Sequence, residues 1–299
     1  MALVVGRTRV NVWECDEIGH VNVRFYGEKL DQGLQVFLHH LGLTPARLAD
    51  EGLSVAVTAH HVRYIRELTG GDNLLLEVQV IAIGEDTLRL AVMLRPVAEA
   101  PLSAVYHTDL VLRSESPIRR PKWPADVRDK ALALQADLPP EAAPRSLSPD
   151  DPPAAGNLQE AERLRMKEVF LAPPRPIDLD AAGRFKSSAF FGCLSDSVEP
   201  YLTDLPRHVS GSVGIVVLEG QVAIAQLPAI GAPMTIRSAF TGATDKLIKL
   251  TYWVLDLETG APLAAARSLA AMIDMDARKL VALPAEALAM VAPEADSAV

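Results

Sequence analysis

The chain has 299 residues, 49% of them hydrophobic and 22% charged, with a formal charge of −9 at pH 7. This is globular usage at a length for one large domain or two ordinary ones. The acidic balance gives nucleic-acid binding no general support, and no run approaches the ~18 uninterrupted apolar residues of a spanning helix. The apolar part of the N-terminal MALVVGRTRV is too short for a secretory signal. Cys15 and Cys193 lie far apart without metal-ligand spacing. They fit neither a disulfide framework nor a zinc site and read as reduced thiols, so a cytoplasmic location is expected.

A strand-like run at 7–12 leads into WECDEIGHVN at 13–22. Then Tyr26, Leu30, Gly33/Leu34, Phe37 and Leu41 step by three and four, which predicts a helix over 23–41. Asn22 suits its N-cap and Gly42 its end. His39 and His40 read as solvated residues of the last turn. Four strand-like runs follow at 54–68, 73–83, 87–97 and 102–112. Leu76, Val78 and Val80 alternate with polar Glu77 and Gln79, as do Leu88, Leu90, Val92 and Leu94 with Arg89 and Arg95. The separators TGGDN, GED and EAP are short, so neighbouring strands are expected to be mostly antiparallel. His107 and Asp109 share a strand face, which permits a polar pair.

Composition shifts to proline, alanine and acid between about 117 and 156, which reads as a linker with one short helix near 125–135. The expected organisation is 1–125, a linker at 126–156, and 157–299. The second part repeats the first: a helix over 185–202, then strand runs at 209–227, 234–240, 245–257 and 262–274. Asp180 and Gly183 stand 164 positions after Asp16 and Gly19, and Phe190-Phe191-Gly192 follows them as Phe25-Tyr26-Gly27 follows the first pair. The same motif at the same place in the same order of elements points to a duplication.

Asp16, Gly19, His20, Val21, Asn22 and Tyr26 together resemble the D-x-x-G-H-V-N signature of hot-dog acyl-CoA thioesterases, in particular the 4-hydroxybenzoyl-CoA thioesterase type. The motif covers about fifteen residues, and the order of elements extends the likeness to both halves. The resemblance implies an α+β chain of two tandem hot-dog domains, each an antiparallel sheet wrapped around a long central helix. It further implies an acyl-pantetheine arm threading between two such domains and hydrolysis of an acyl-CoA substrate; no cofactor, metal, nucleic-acid or membrane partner is expected. Self-association into a homo-oligomer is expected on the same ground.

Thioester hydrolysis needs a base or carboxylate nucleophile and a donor to the carbonyl oxygen. Asp16 fits the first role, and N–H groups near Val23 at the helix start fit the second. His20 can order water or protonate the leaving group, and Asn22 can bind the oxyanion or merely cap the helix. Tyr26, in the helix stripe, packs on the sheet or lines the substrate site. Glu14 and Glu17 read as solvated turn residues and Cys15 as a buried inert thiol. In the second half Arg184 and Lys186 replace His20 and Asn22, which implies a copy impaired for catalysis. Arg184 or Lys186 then either meets CoA phosphates or is a solvated helix-start residue. Arg63, Arg66, Arg119, Arg120 and Lys122 are further candidates for the nucleotide end. Two other functions compete: a hot-dog enoyl-CoA hydratase, whose usual D-x-N-P-x-H string does not occur here, and a non-catalytic acyl-CoA-binding protein.

Overall fold

The computed structural model describes residues 2–16, 18–97, 100–115, 117–197 and 213–283. The chain divides into two compact units, 1–151 with 186–195, and 152–185 with 196–299. Each is built on one antiparallel sheet.

In the first unit, β1 (Leu3–Arg9) is followed by a 3-10 turn (Val12–Glu14), α1 (Val23–His40) and α2 (Pro45–Asp50). Then come β2 (Leu53–Tyr64), β3 (Asn73–Ile83), β4 (Thr87–Arg95), β5 (Ala104–Glu115), the short β6 (Ile118–Arg119) and α3 (Ala125–Ala133). The sheet order is β1-β3-β4-β5-β2, antiparallel throughout, with β6 on the end of β5. Gln79, Ala91 and Met93 are buried on one side of the sheet, and on the other side the apolar face read from the sequence is buried at Leu76, Val78, Val80, Leu88, Leu90, Val92 and Leu94. The buried stripe of α1, Tyr26, Leu30, Leu34 and Phe37, packs towards this face. Helix and sheet approach closely at Gly33, where a Cβ would sit 3.2 Å from both Val5 and Leu76.

Two local expectations change. The first strand stops at Arg9, and the residues before Asp16 form a 3-10 turn, leaving Val12 and Trp13 exposed. Short separators predict pairing of consecutive strands, but β2 pairs with β5, not β3. The TGGDN stretch therefore carries the chain across the sheet. Asp109 also pairs with Arg89, at 2.7 and 2.9 Å, and not with His107, whose Nε2 meets the Ala142 carbonyl oxygen at 3.0 Å.

The proline-rich stretch is fastened to this sheet. Val80 and Ala136 exchange backbone contacts with Leu134 and Val80 at 3.2 Å, and Gln79 Nε2 donates to the carbonyls of Ala136 and Asp137 at 2.8 and 2.6 Å. Ala142 and Leu138 pack on Ala91, Met93, Leu102 and Val105. Burying those side chains and satisfying exposed carbonyls stabilises the segment without regular structure. Arg63 donates to the carbonyls of Glu141 and Ala143, while Arg120 and Lys122 pair with Asp86 and Glu85.

The second unit contains α4 (Leu158–Arg163), β7 (Lys167–Ala172) and a 3-10 turn (Pro176–Asp178). The chain then contributes α5 (Ala189–Ser195) to the first unit and returns with β8 (Val213–Ile224), β9 (Met234–Ala243), β10 (Leu247–Asp256), β11 (Pro262–Asp274) and the short β12 (Lys279–Leu280). Its sheet order, β7-β9-β10-β11-β8, repeats that of the first unit. Ala161, Met166, Trp253 and Leu255 form a satellite core where α4 meets β10. The expected second helix begins at Ala189 and not at 185, because Phe185 still belongs to the preceding turn through its bridge to Leu179. Positions 198–202 of that expected helix and 209–212 of the following strand run lie outside the described residues. Among the described residues no helix is long and apolar enough to cross a membrane.

Candidate active site at a duplicated strand-to-helix turn

The turn between β1 and α1 is built from its own backbone. The Asn11 N–H donates to Glu14 Oε2 at 2.8 Å, and the Asp16 N–H donates to the His20 carbonyl at 2.8 Å. Asp16 Oδ1 accepts the N–H groups of Ile18 and His20, both at 3.1 Å. Gly19 closes the turn at φ +82°, in the left-handed region where a side chain is strained. Val21 N–H then bonds the Leu68 carbonyl at 2.9 Å, which ties the turn to the end of β2.

Glu14 is not the solvated residue the sequence suggests. It is buried, and both its oxygens meet Lys29 Nζ of α1, at 2.9 and 3.0 Å. A carboxylate and an ammonium fifteen positions apart neutralise each other under the turn, which is what makes their burial tolerable. Glu17 lies outside the described residues. Cys15 is partly buried, and burial raises its thiol pKa.

The start of α1 follows at once. Asn22 Oδ1 accepts the Arg24 N–H at 2.9 Å and its carbonyl accepts Phe25 N–H at 2.9 Å, a working N-cap. The Val23 N–H has no hydrogen-bond acceptor among the described residues. Nor does any hydrogen bond reach Asp16 Oδ2 among them. One carboxylate oxygen and one helix-start N–H thus remain unspent within a single turn.

His20 is buried, and its Nε2 lies 3.2 Å from Glu67 Oε2. A carboxylate at that distance fixes the orientation of the ring. Glu67 just beyond β2 has no spacing relation to His20 that a reading of sequence could use. Tyr26 is buried behind the turn, its ring edge-on to Tyr64 at 5.2 Å, and burial pushes its phenol well above the ordinary range. Deeper in the unit, His60 is fully buried between Thr108 Oγ1 and Ser187 Oγ, each at 3.0 Å, and burial lowers its pKa to about 3.

The second unit contains the same turn. Arg175 N–H donates to Asp178 Oδ2 at 2.8 Å, Asp180 N–H donates to the Arg184 carbonyl at 2.7 Å, and Gly183 has φ +76°. Asp180 Oδ1 accepts Ala182 and Arg184 N–H at 2.9 and 2.8 Å. Here the other oxygen is taken: Arg184 Nε donates to Asp180 Oδ2 at 3.0 Å. Burial alone would raise the Asp180 pKa, but the Arg184 N–H and guanidinium hold it below its ordinary range. Asp16, His20, Asn22 and Val23 therefore share one junction, Tyr26 packs behind it, and Arg184 belongs to the second unit, where it caps the echo of Asp16.

Residues 10–131, which contain the first turn, match the Thioesterase-like superfamily. No curated protein matches the chain in sequence. Among solved structures, a candidate oleoyl thioesterase from Lactobacillus plantarum is similar over 90% of this chain and 96% of its own, with a TM-score of 0.70 at 13% identity. The 12:0-ACP thioesterase from Umbellularia californica is similar over 89% and 96%, with a TM-score of 0.68 at 13% identity. An acyl-ACP thioesterase from Bacteroides thetaiotaomicron is similar over the same shares, with a TM-score of 0.68 at 9% identity. The chain has the hot-dog thioesterase fold, in two units.

Proposed function

We propose that the chain is a tandem hot-dog thioesterase of the 4-hydroxybenzoyl-CoA type, cleaving acyl thioesters at one working turn centred on Asp16. The observation that carries this is the contrast between two copies of one turn. Both hold Oδ1 of an aspartate with two backbone N–H groups, but among the described residues no hydrogen bond reaches Oδ2 of Asp16, whereas a guanidinium binds that of Asp180. The family match to residues 10–131 falls on the open copy.

In the proposed reaction, Asp16 Oδ2 takes a proton from water as the hydroxyl adds to the thioester carbonyl carbon, or itself adds to that carbon. In the second case water then hydrolyses the acyl-aspartyl anhydride to the free acid and restores the carboxylate. The oxygen that becomes negative meets the Val23 N–H and the Asn22 amide, with the helix start favouring that charge. Collapse breaks the C–S bond, and the thiolate leaves without needing a strong acid. His20, held by Glu67, orders the water. The carrier is coenzyme A or an acyl carrier protein; two of the similar structures are ACP thioesterases.

Acyl-CoA and acyl-ACP panels test this with Asp16→Asn alongside. Turnover by the wild type and a loss of about a hundredfold or more in the variant are expected, the scale of a positioned acid–base group. Full activity in Asp16→Asn, or no cleavage of any thioester, would overturn the proposal.

A further inference from the structure

We propose that Ser195, from the second half of the sequence, is a positioning residue of the site: it fixes the Asn22 amide so that its remaining N–H faces the thioester oxygen. This rests on the thioesterase reading above and adds a residue to it.

Ser195 ends α5, the segment that folds into the first unit. Asn22 Nδ2 donates to its Oγ at 3.1 Å, and the hydroxyl donates back to Asn22 Oδ1 at 3.3 Å. The amide is thus held along one edge by the hydroxyl, while Oδ1 also accepts the Arg24 N–H. An N-cap needs only the last of these contacts. The hydroxyl adds something different: it fixes which way the amide faces, using one N–H and leaving the other. The two helices are held close enough for this at Gly192, one turn before Ser195, where a Cβ would lie 2.4 Å from the Arg24 guanidinium carbon.

The duplication supplies an internal control. A shift of 164 positions carries Asn22 and Arg24 to Lys186 and Ser188, and carries Glu28 and Asp31 to Gly192 and Ser195. At that second corner Lys186 faces Glu28 at 4.0 Å, and Ser188 Oγ hydrogen-bonds Asp31. Charged partners stand where the first corner has an amide and a hydroxyl. The neutral pair, with one amide N–H unused among the described residues, occurs beside the turn whose aspartate Oδ2 accepts no hydrogen bond among them. A preorganised donor of this kind acts on the barrier more than on ground-state binding.

Steady-state kinetics on the full chain with its best acyl-CoA test the role. Ser195→Ala is expected to lower kcat about tenfold with KM within about twofold, and Ser195→Thr, which keeps the hydroxyl, to recover most of it. Asn22→Ser keeps the cap but removes the amide, and is expected to cost about a hundredfold. In that background Ser195→Ala should have no further effect, since Ser195 acts through the amide. Wild-type kcat in Ser195→Ala, a loss confined to KM, or the same tenfold loss in the Asn22→Ser background would overturn the inference. If Asp16→Asn is inactive while Ser195→Ala is fully active, only this inference fails. If Asp16→Asn keeps full activity, the thioesterase reading and this inference fall together.

Discussion

Asp16 Oδ1 and the backbone N–H of His20 lie 3.1 Å apart, and the matching pair, Asp180 Oδ1 and Arg184 N–H, lie 2.8 Å apart. The aspartate is therefore first a turn-former, twice over, and among the described residues the Asp16 copy has an oxygen left for chemistry while the Asp180 copy does not. Asparagine keeps the accepting oxygen, whereas alanine does not. Asp16→Asn should then melt close to wild type while losing activity, and Asp16→Ala should lose about 1 kcal/mol or more of stability besides. Thermal melts beside kinetics separate the two effects; equal melting of both variants would contradict the turn-forming role.

In the second turn, Arg184→Ala should release Asp180. Its carboxyl pKa, followed by NMR titration, is expected to rise, because the guanidinium and its hydrogen bond favour the charged form. Thioesterase activity should stay at the wild-type level. An unchanged Asp180 titration would mean that the ion pair is not formed in solution.

Glu67→Gln keeps the shape of the residue that holds His20 and removes its charge. A drop of about tenfold in kcat is expected, because the ring that orders the water loses the partner that orients it. A kcat equal to wild type would show that His20 works without Glu67.

Under the turn, Lys29→Met would strand Glu14 as a buried unpaired carboxylate. The expected cost is about 3–5 kcal/mol, read as a lower urea midpoint. Adding Glu14→Gln should return much of it, because both charges are then gone. A single variant as stable as wild type would show the pair to be solvated.

Acid should destabilise the first unit well before its carboxylates titrate. Burial lowers His60 to about 3 and His107 to about 4 from an unfolded value near 6.5. Between those limits the unfolded chain binds more protons, so stability is complete above about pH 6.5 and falls as pH drops towards 4 and then 3. Each histidine contributes at most about 1.4 kcal/mol per pH unit in that window. Urea midpoints from pH 7.5 to 5 should decline, and His107→Gln should flatten the decline. A flat wild-type midpoint would count against burial of both rings.

Local rules in the sequence were enough for α1, its Asn22 cap, the β3 and β4 alternation and the repeated turn glycines, because each depends on neighbours within a few positions. They were also enough to see that one turn keeps histidine and asparagine and the other does not. Pairing of β2 with β5, the Glu14–Lys29 pair, Glu67 against His20 and Ser195 against Asn22 leave no such trace. Each joins residues that the chain brings together only through tertiary packing, with no fixed spacing to mark them. In the proline-rich stretch the packing left no sequence signal for a different reason. Its composition predicts little regular structure beyond one short helix and says nothing of packing, yet its carbonyls and small apolar side chains are held by Gln79, His107 and residues of and beside β4 and β5.

The first unit closes only with residues 186–195, supplied after the chain has already begun the second. During synthesis, a nascent chain released as far as residue 151 has no partner for the Asn22 amide, for His60 Nε2 or for the Gly27 side of α1, where Ser188 packs. Its final form has to wait until Ser195 is made. A gene cut at the linker would divide the sequence into its two repeats without dividing the protein into two finished bodies.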